Sequence, residues 1–144
     1  ILLKSWPTFA MVDERPSVVI DTNILVSAIV FGGRPGVLLK LATSTRIKAV
    51  TSPILLSELS GVLGRKFSYA DPQIRAIEAK LKQSFEVVTP SRQIGVLESA
   101  DDRVLEAATT ASCRYIVTGD RELLALGNFE KTKIVSLSEF LGGV

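Results

Sequence analysis

Two aspartates lie at or just after the ends of two predicted buried strands, the position where ligands of α/β proteins bind. The β-branched segment 18–20 is typical of a strand covered on both faces, and it ends at Asp21. A second apolar segment, 115–117, is followed closely by Asp120. Ligands of open parallel sheets bind outside the carboxyl ends of the strands, so both carboxylates are expected at one crevice. The structural alternative for Asp21 is that it only caps the helix that follows.

Three further acidic residues lie at or near the beginnings of predicted helices. Ser52 and Pro53 form a cap-plus-proline signal, and Glu58 lies in the second turn of the helix they open, at the edge of its apolar face. An ordinary solvated glutamate is the alternative interpretation of Glu58. Asp101 or Asp102 caps another predicted helix. Helices that follow parallel strands begin at the same edge where those strands end, so these acids are expected near the strand-end aspartates.

Carboxylates gathered at one edge repel one another, and their pKa values rise. A divalent cation with oxygen ligands removes this repulsion, and Mg²⁺ or Mn²⁺ held by acidic residues commonly binds a substrate phosphate. The pattern therefore predicts one or two such ions held by Asp21, Asp120 and one of the paired aspartates. Glu58 would complete a second metal position or orient water. The chemistry indicated is in-line attack of water on a phosphodiester.

The composition excludes several other kinds of active site. The 144 residues include no histidine, which removes Ser-His and Cys-His nucleophiles and His-rich zinc sites. A single cysteine, Cys113, excludes an internal disulfide framework and is expected to be a core residue. With 17 basic and 15 acidic side chains, the net charge of +2 permits nucleic acid as a partner without demanding it. No apolar run approaches the roughly 20 residues of a membrane span, and we expect a cytoplasmic protein.

Predicted strands and helices alternate along the chain. Strands are expected at 18–20, 47–51, 85–88, 115–117 and 133–135, with 94–97 as an extended segment or approach loop. Helices are expected at 24–31, 37–43, 53–63, 73–83, from 101 or 102 to about 111, at 123–126 and at 138–141, with a turn at 32–36. This alternation predicts a three-layer α/β/α sandwich with a central, mainly parallel sheet. Residues 1–16 are interpreted as an N-terminal extension and 17–144 as one domain.

Four segments together resemble the motifs of PIN-domain proteins, most closely the branch of toxin components of bacterial toxin–antitoxin systems. The resemblance covers residues 17–141 in the family's order and spacing. It implies a Mg²⁺- or Mn²⁺-dependent endoribonuclease that hydrolyses RNA, assembles as a homodimer or higher oligomer and is restrained by an antitoxin protein. The matching segments are Val19-Ile20-Asp21-Thr22-Asn23, Ser52-Pro53 with Glu58-Leu59, the acidic start before Val104-Leu105-Glu106-Ala107-Ala108, and Ile116-Val117-Thr118-Gly119-Asp120.

Position by position, the resemblance implies a set of acids that are both catalytic and metal-binding: Asp21, Glu58, Asp101 and Asp120. For the third acid, Asp101 fits the family pattern better than its neighbour Asp102. Related proteins often carry Asp-Pro upstream, where this chain has Glu98-Ser99, so the departure concerns the approach loop. Thr118 matches a small hydroxyl residue that could support the last acid through a hydrogen bond.

Other functions fit the residues less well. A haloacid-dehalogenase-like phosphatase would carry a second aspartate where this chain has Asn23. A dinucleotide-binding domain needs a glycine-rich first turn, which is absent after the first strand. A non-catalytic module that binds RNA or protein stays open, and an antitoxin partner predicts an exposed apolar groove. The basic residues placed near the motifs, and hence the candidates for RNA contact, are Arg34, Arg65, Lys66, Arg103 and Arg121.

Overall fold

A six-stranded sheet forms the centre of the structure, a computed structural model that describes residues 13–97 and 101–142. The strand order is β3-β2-β1-β4-β6-β5, and every neighbouring pair is parallel except β5 with β6. The predicted three-layer, mainly parallel α/β fold is confirmed. The strands are β1 (Ser17–Ile20), β2 (Lys48–Thr51), β3 (Glu86–Val87), β4 (Tyr115–Val117), β5 (Asn128–Phe129) and β6 (Thr132–Val135).

Helices connect the strands and cover both faces of the sheet. They are α1 (Thr22–Phe31), α2 (Gly33–Thr43), α3 (Pro53–Phe67), α4 (Asp71–Ser84), α5 (Asp102–Thr110), α6 (Arg121–Leu126) and α7 (Leu137–Gly142). Within the described ranges, no single helix is long and apolar enough to cross a bilayer. Helices α1 and α2 meet that test only as a pair bent by 104°.

The side chains of β1 divide the core into two layers because successive residues of a strand point to opposite faces. Val18 and Ile20 belong to the cluster that includes residues of α1 to α4, whereas Val19 packs with residues of α5 and α6. Cys113 lies in the second layer, where it is 1% exposed. Burial raises the pKa of the Cys113 thiol to about 12, which agrees with the core role expected for this residue.

The predicted turn at 32–36 is mostly helical in the structure. Helix α1 ends at Phe31, and α2 begins only two residues later, at Gly33. Two consecutive glycines make the bend, Gly32 with a φ of 73° and Gly33 with a φ of 59°, and both values favour glycine. In α2, Leu38 is completely buried, whereas the neighbouring Val37 is 51% exposed.

Smaller differences have local physical causes. Strand β5 was not predicted, because it has only two residues and pairs antiparallel with the start of β6. Helix α4 begins at Asp71, two residues before the predicted start at 73, with Ala70 in the cap position. The segment 94–97 is a loop, which was one of the two possibilities expected for it. Residues 1–12 of the predicted extension, and 98–100 with Glu98-Ser99, lie outside the described residues.

Candidate active site

Parallel pairing brings Asp21 and Asp120 to the same edge of the sheet. Strand β1 pairs with β4 so that Ile20 lies beside Val117, and the next backbone N–H, that of Asp21, donates to the Val117 carbonyl at 3.0 Å. Asp120 follows β4 after two residues. Asp21 is 5% exposed and Asp120 is partly buried. The two strand-end aspartates therefore lie at the crevice that the topology predicts for ligands.

Thr118 connects these two acids, and it is fully buried. Its hydroxyl donates to Asp21 Oδ2 at 2.6 Å and accepts from the backbone N–H of Asp120 at 3.0 Å. The sequence pattern suggested support for the last acid alone. In the structure, the Thr118 hydroxyl accepts from the backbone of Asp120 and donates its proton to the Asp21 carboxylate. One side chain therefore fixes the positions of both acids.

Asp21 has a raised pKa, chiefly because burial disfavours the charged carboxylate. The hydrogen bond from Thr118 opposes this effect, whereas the charges of Glu58 and Asp120 add to it. Asp21 occupies the cap position of α1, yet its side chain makes no capping hydrogen bond. Its role as a simple helix cap is therefore not what the geometry favours.

Asp101, and not Asp102, faces the other acids. The pKa of Asp101 is raised to about 6 by burial, by the charges of Asp120 and Asp21, and by a side-chain hydrogen bond with Asp120. Asp102 is 1% exposed, and its Oδ1 accepts the backbone N–H of Leu97 at 3.0 Å. Asp102 thus ties the preceding loop to α5, while Asp101 contributes charge to the crevice.

Asp120 is held by the helix that follows it. Its Oδ1 accepts the backbone N–H groups of Glu122 at 2.9 Å and Leu123 at 3.1 Å, which caps α6. A cleft of about 560 Å³ opens beside Asp120. Its polar lining residues, besides the acid itself, are Asn23, Ser27, Arg121 and Glu122.

Glu58 reaches the site from helix α3. Ser52 caps this helix by accepting the Leu55 N–H at 3.3 Å, and Pro53 occupies the first turn, as the sequence predicts. Glu58 is half-buried one turn further on, and its charge contributes to the raised pKa of Asp21. The four predicted acids are therefore linked electrostatically through Asp21, which both Glu58 and Asp120 affect and which affects Asp101.

The donor chemistry of this site suits Mg²⁺ or Mn²⁺. All candidate ligands are carboxylate oxygens, and burial together with the charges of neighbouring acids raises the pKa values of Asp21 and Asp101. Among residues 13–97 and 101–142, no lysine or arginine forms an ion pair with Asp21, Glu58 or Asp120. Within those same ranges, no three His, Cys, Asp or Glu side chains are already arranged around a metal position. Asp21 and Asp120 are hydrogen-bonded to protein donors, so metal binding would require these acids to draw together.

Sequence reasoning located the acids better than the surrounding polar groups. Arg121 lines the cleft, as expected of a candidate RNA contact. Arg103 lies 3.3 Å from Glu106, and Arg65 and Lys66 lie in the last turn of α3, roughly 20 Å along the helix from Ser52. Asn23 and Ser27, which are cleft residues, were not predicted. Their four-residue spacing on one helix face was the available signal.

Comparisons with known proteins agree with the fold described above. The family model described as PIN domain matches residues 17–122. An uncharacterised protein of Methanocaldococcus jannaschii, MJ1680, is 32% identical over 120 residues, which cover 79% of this chain and 77% of the relative.

Two solved structures have the same fold. PAE2754 from Pyrobaculum aerophilum has a TM-score of 0.55 at 19% identity, covering 90% of this chain and 94% of its own. The PIN domain endonuclease Utp24 has a TM-score of 0.50 at 20% identity, covering 83% and 84%. At these identities the structural likeness extends to the fold alone.

Proposed function

The chain belongs to the PIN-domain family, whose members are typically nucleases, and on this premise we propose that it is a metal-dependent endoribonuclease. The observation that carries the proposal is the electrostatic interaction of Asp21 and Asp120, which follow neighbouring strands, with Asp101, which precedes α5. Among the described residues, no lysine or arginine forms an ion pair with Asp21 or Asp120. Such a site attracts a divalent ion together with the phosphate of a substrate.

Each residue of the site has a defined task in this proposal. Asp21, Asp101 and Asp120 would hold Mg²⁺ or Mn²⁺, and Glu58 would complete the set or orient the attacking water. When bound, the ion supplies positive charge to the phosphodiester and eases ionisation of that water. Thr118 keeps Asp21 and the backbone of Asp120 in register, since its hydroxyl contacts both.

In this proposal, the RNA chain binds in the cleft beside Asp120. Arg121 can neutralise a phosphate, and Asn23 and Ser27 offer hydrogen-bonding groups from the first helix. Because these groups flank Asp120, a phosphodiester bound there would lie next to the acids. The cleft therefore supports cleavage within an RNA chain.

Replacement of Asp21 tests the proposal most directly. We expect purified protein to cut a mixed, labelled RNA pool with Mg²⁺ or Mn²⁺ and not with EDTA. Asp21→Asn should lower the rate by about 100-fold or more, because even partners of metal ligands are worth 10–100-fold. Asp71→Asn, at the exposed start of α4, is the matched control and should cut like the wild type.

The outcomes separate the nuclease from a binding module. If neither wild type nor Asp21→Asn cleaves the RNA pool, Mn²⁺ binding to both proteins is measured by calorimetry. Metal binding that is lost in Asp21→Asn would keep the site and point to an unsuitable RNA pool. Absence of metal binding in both would overturn the nuclease and leave a non-catalytic PIN module that binds RNA or protein.

We further propose that the protein is the toxin of a toxin–antitoxin pair, active as a homodimer or higher oligomer on cytoplasmic RNA. The support is the motif resemblance together with a shallow apolar groove of about 260 Å³ between α1, α2 and α4. Expression of wild type, but not of Asp21→Asn, should arrest growth of a host cell. Cleavage in vitro without growth arrest would favour a housekeeping nuclease.

A further inference from the structure

A second pocket lies at the sheet edge opposite the acids, and no part of the proposed site uses it. Its volume is about 630 Å³, within the range of small-molecule sites. The residues that line it come from the beginnings of β1 and β4, from both ends of β6 and from α7. They include Pro16, Arg114, Tyr115, Lys133, Glu139 and Phe140.

The pocket combines two cations with an aromatic wall. The Arg114 guanidinium lies 5.4 Å from the centroid of the Tyr115 ring, and Tyr115 meets Phe140 edge to face at 5.5 Å. Strand pairing places Lys133 directly beside Tyr115. The aromatic contact fixes the Arg114 guanidinium at low entropic cost, with its polar edges available.

The charges of this edge are not neutralised locally. None of the ion pairs formed among the described residues includes Arg114 or Lys133. Glu139 is the acid of the pocket, and its Oε1 already accepts the backbone N–H of Ser136 at 3.1 Å. Elsewhere along this edge the acids are paired, as Asp13 is with Arg15 and Glu86 with Lys48. The pocket therefore carries an excess of positive charge.

We propose that this pocket binds a segment of single-stranded RNA at a distance from the acidic site. Phosphate oxygens would contact Arg114 and Lys133, and a base would stack against the layer formed by Tyr115 and the Arg114 guanidinium. Planar guanidinium and aromatic groups are the surfaces on which unpaired bases stack. An acidic protein segment could pair with the two cations but would make no use of the aromatic wall. The presence of cations together with the aromatic wall therefore favours RNA as the ligand. The inference relies on the proposed function only for the identity of the polyanion.

Binding without cleavage tests the pocket independently of the nuclease. Anisotropy of a labelled RNA of about 12 nucleotides, a length typical of single-strand sites, is measured with the full chain in EDTA. The Arg114→Gln/Lys133→Gln double variant should bind at least about tenfold more weakly. Its salt dependence should fall by about 1.4 in log–log slope if each cation contacts one phosphate. The matched control is Arg75→Gln/Lys82→Gln, which removes equal charge from the exposed face of α4 and should change affinity by less than about twofold.

Two further variants keep the test decisive. Lys133→Gln alone leaves the aromatic contacts intact and should still weaken binding, so misfolding caused by loss of Arg114 cannot account for the result. Tyr115→Leu should weaken RNA binding but not the binding of inorganic polyphosphate. Equal losses in the α4 control, or displacement of RNA by polyglutamate at equal charge, would overturn the proposal.

The two proposals fail in different ways. If Asp21→Asn abolishes cleavage while the pocket variants bind and cut as wild type does, the nuclease stands and the pocket inference falls. If the pocket variants lose RNA binding and no preparation cleaves RNA, the pocket inference stands and the nuclease proposal falls. Where both stand, the pocket variants should raise KM for long RNA and leave kcat unchanged, because the pocket lies away from the reacting phosphate.

Discussion

At the scale of single residues, Thr118 is the most informative position in the site. Its buried hydroxyl satisfies one oxygen of Asp21 and one backbone N–H of Asp120 at once. No other side chain among the described residues forms hydrogen bonds with both Asp21 and Asp120. Acids of a metal site depend on such outer partners for orientation, so Thr118 should affect metal affinity without itself binding the ion.

Thr118→Val keeps the shape of the side chain and removes the hydroxyl. We expect the free energy of unfolding to fall by about 1–3 kcal/mol, because a buried polar group is left unsatisfied. We also expect Mn²⁺ affinity to fall by about 10–100-fold. Thr118→Ser should restore most of both. Denaturant titration and calorimetry measure the two effects, and a Val variant that loses stability but keeps full Mn²⁺ affinity would contradict the positioning role.

If the proposed metal site is correct, Asp101 should make metal binding depend on pH. Its pKa is raised from 3.8 to about 6 in the folded chain. The folded state therefore holds the proton more tightly than the unfolded state, so this group stabilises the metal-free protein fully below about pH 4. That stability is lost as the pH rises towards about pH 6. A metal ion must displace the same proton, and its affinity should change in the opposite direction.

We therefore expect Mn²⁺ to bind about tenfold more weakly at about pH 5 than at about pH 7, since one proton competes at the lower pH. Calorimetry in two buffers of different ionisation heat would also count the released protons. Asp101→Asn should bind less tightly at both values and lose this part of the pH dependence. An unchanged profile in Asp101→Asn would assign the proton to another group.

At the scale of elements, the junction of α1 and α2 depends on the positive-φ conformations of Gly32 and Gly33. Gly32 has φ 73° and ψ −118°, and a Cβ atom there would meet nothing within 4 Å. Any penalty for a side chain at this position is consequently conformational and not steric. Gly36 lies four residues on, inside α2, with equally open space around it and without a positive φ.

The two glycines should respond to alanine with opposite signs. Gly32→Ala should destabilise the fold by about 1–3 kcal/mol, because a residue with Cβ is forced into a strained region. Gly36→Ala should stabilise it by about 0.5–1 kcal/mol, because alanine loses less entropy in a helix. Chemical denaturation of both variants checks this. Destabilisation by both would mean that packing around α2, and not φ, decides the outcome.

The same junction shows where sequence reasoning reaches its limit at this scale. Glycine and proline between 32 and 36 predict a turn. Gly32 and Gly33 provide the positive-φ bend, and the residues after them lie in α2, where Leu38 is completely buried. The Ser52-Pro53 signal succeeded because cap and proline act locally. Antiparallel strand β5 could not be predicted from two residues whose pairing is tertiary.

At the scale of the whole molecule, parallel topology separates charge between the two edges of the sheet. Asp21 and Asp120 follow strand ends and interact with Asp101 at the start of α5, whereas Arg114 and Lys133 lie where β4 and β6 begin. The acidic edge follows from the sequence, because strand ends are visible as the ends of apolar runs. The basic pocket does not, since Tyr115, Phe140 and Pro16 meet only after the strands have paired.

The burial of Cys113 has a practical consequence for all of these measurements. It is the sole cysteine of the sequence, and its thiol is almost inaccessible in the folded chain. A thiol reagent can then react only when the core opens, so the rate of modification reports the free energy of opening without any engineered label. Ligands that bind the folded state should slow this reaction in proportion to their occupancy. The native chain thus contains its own reporter for whether Mn²⁺ or RNA has bound.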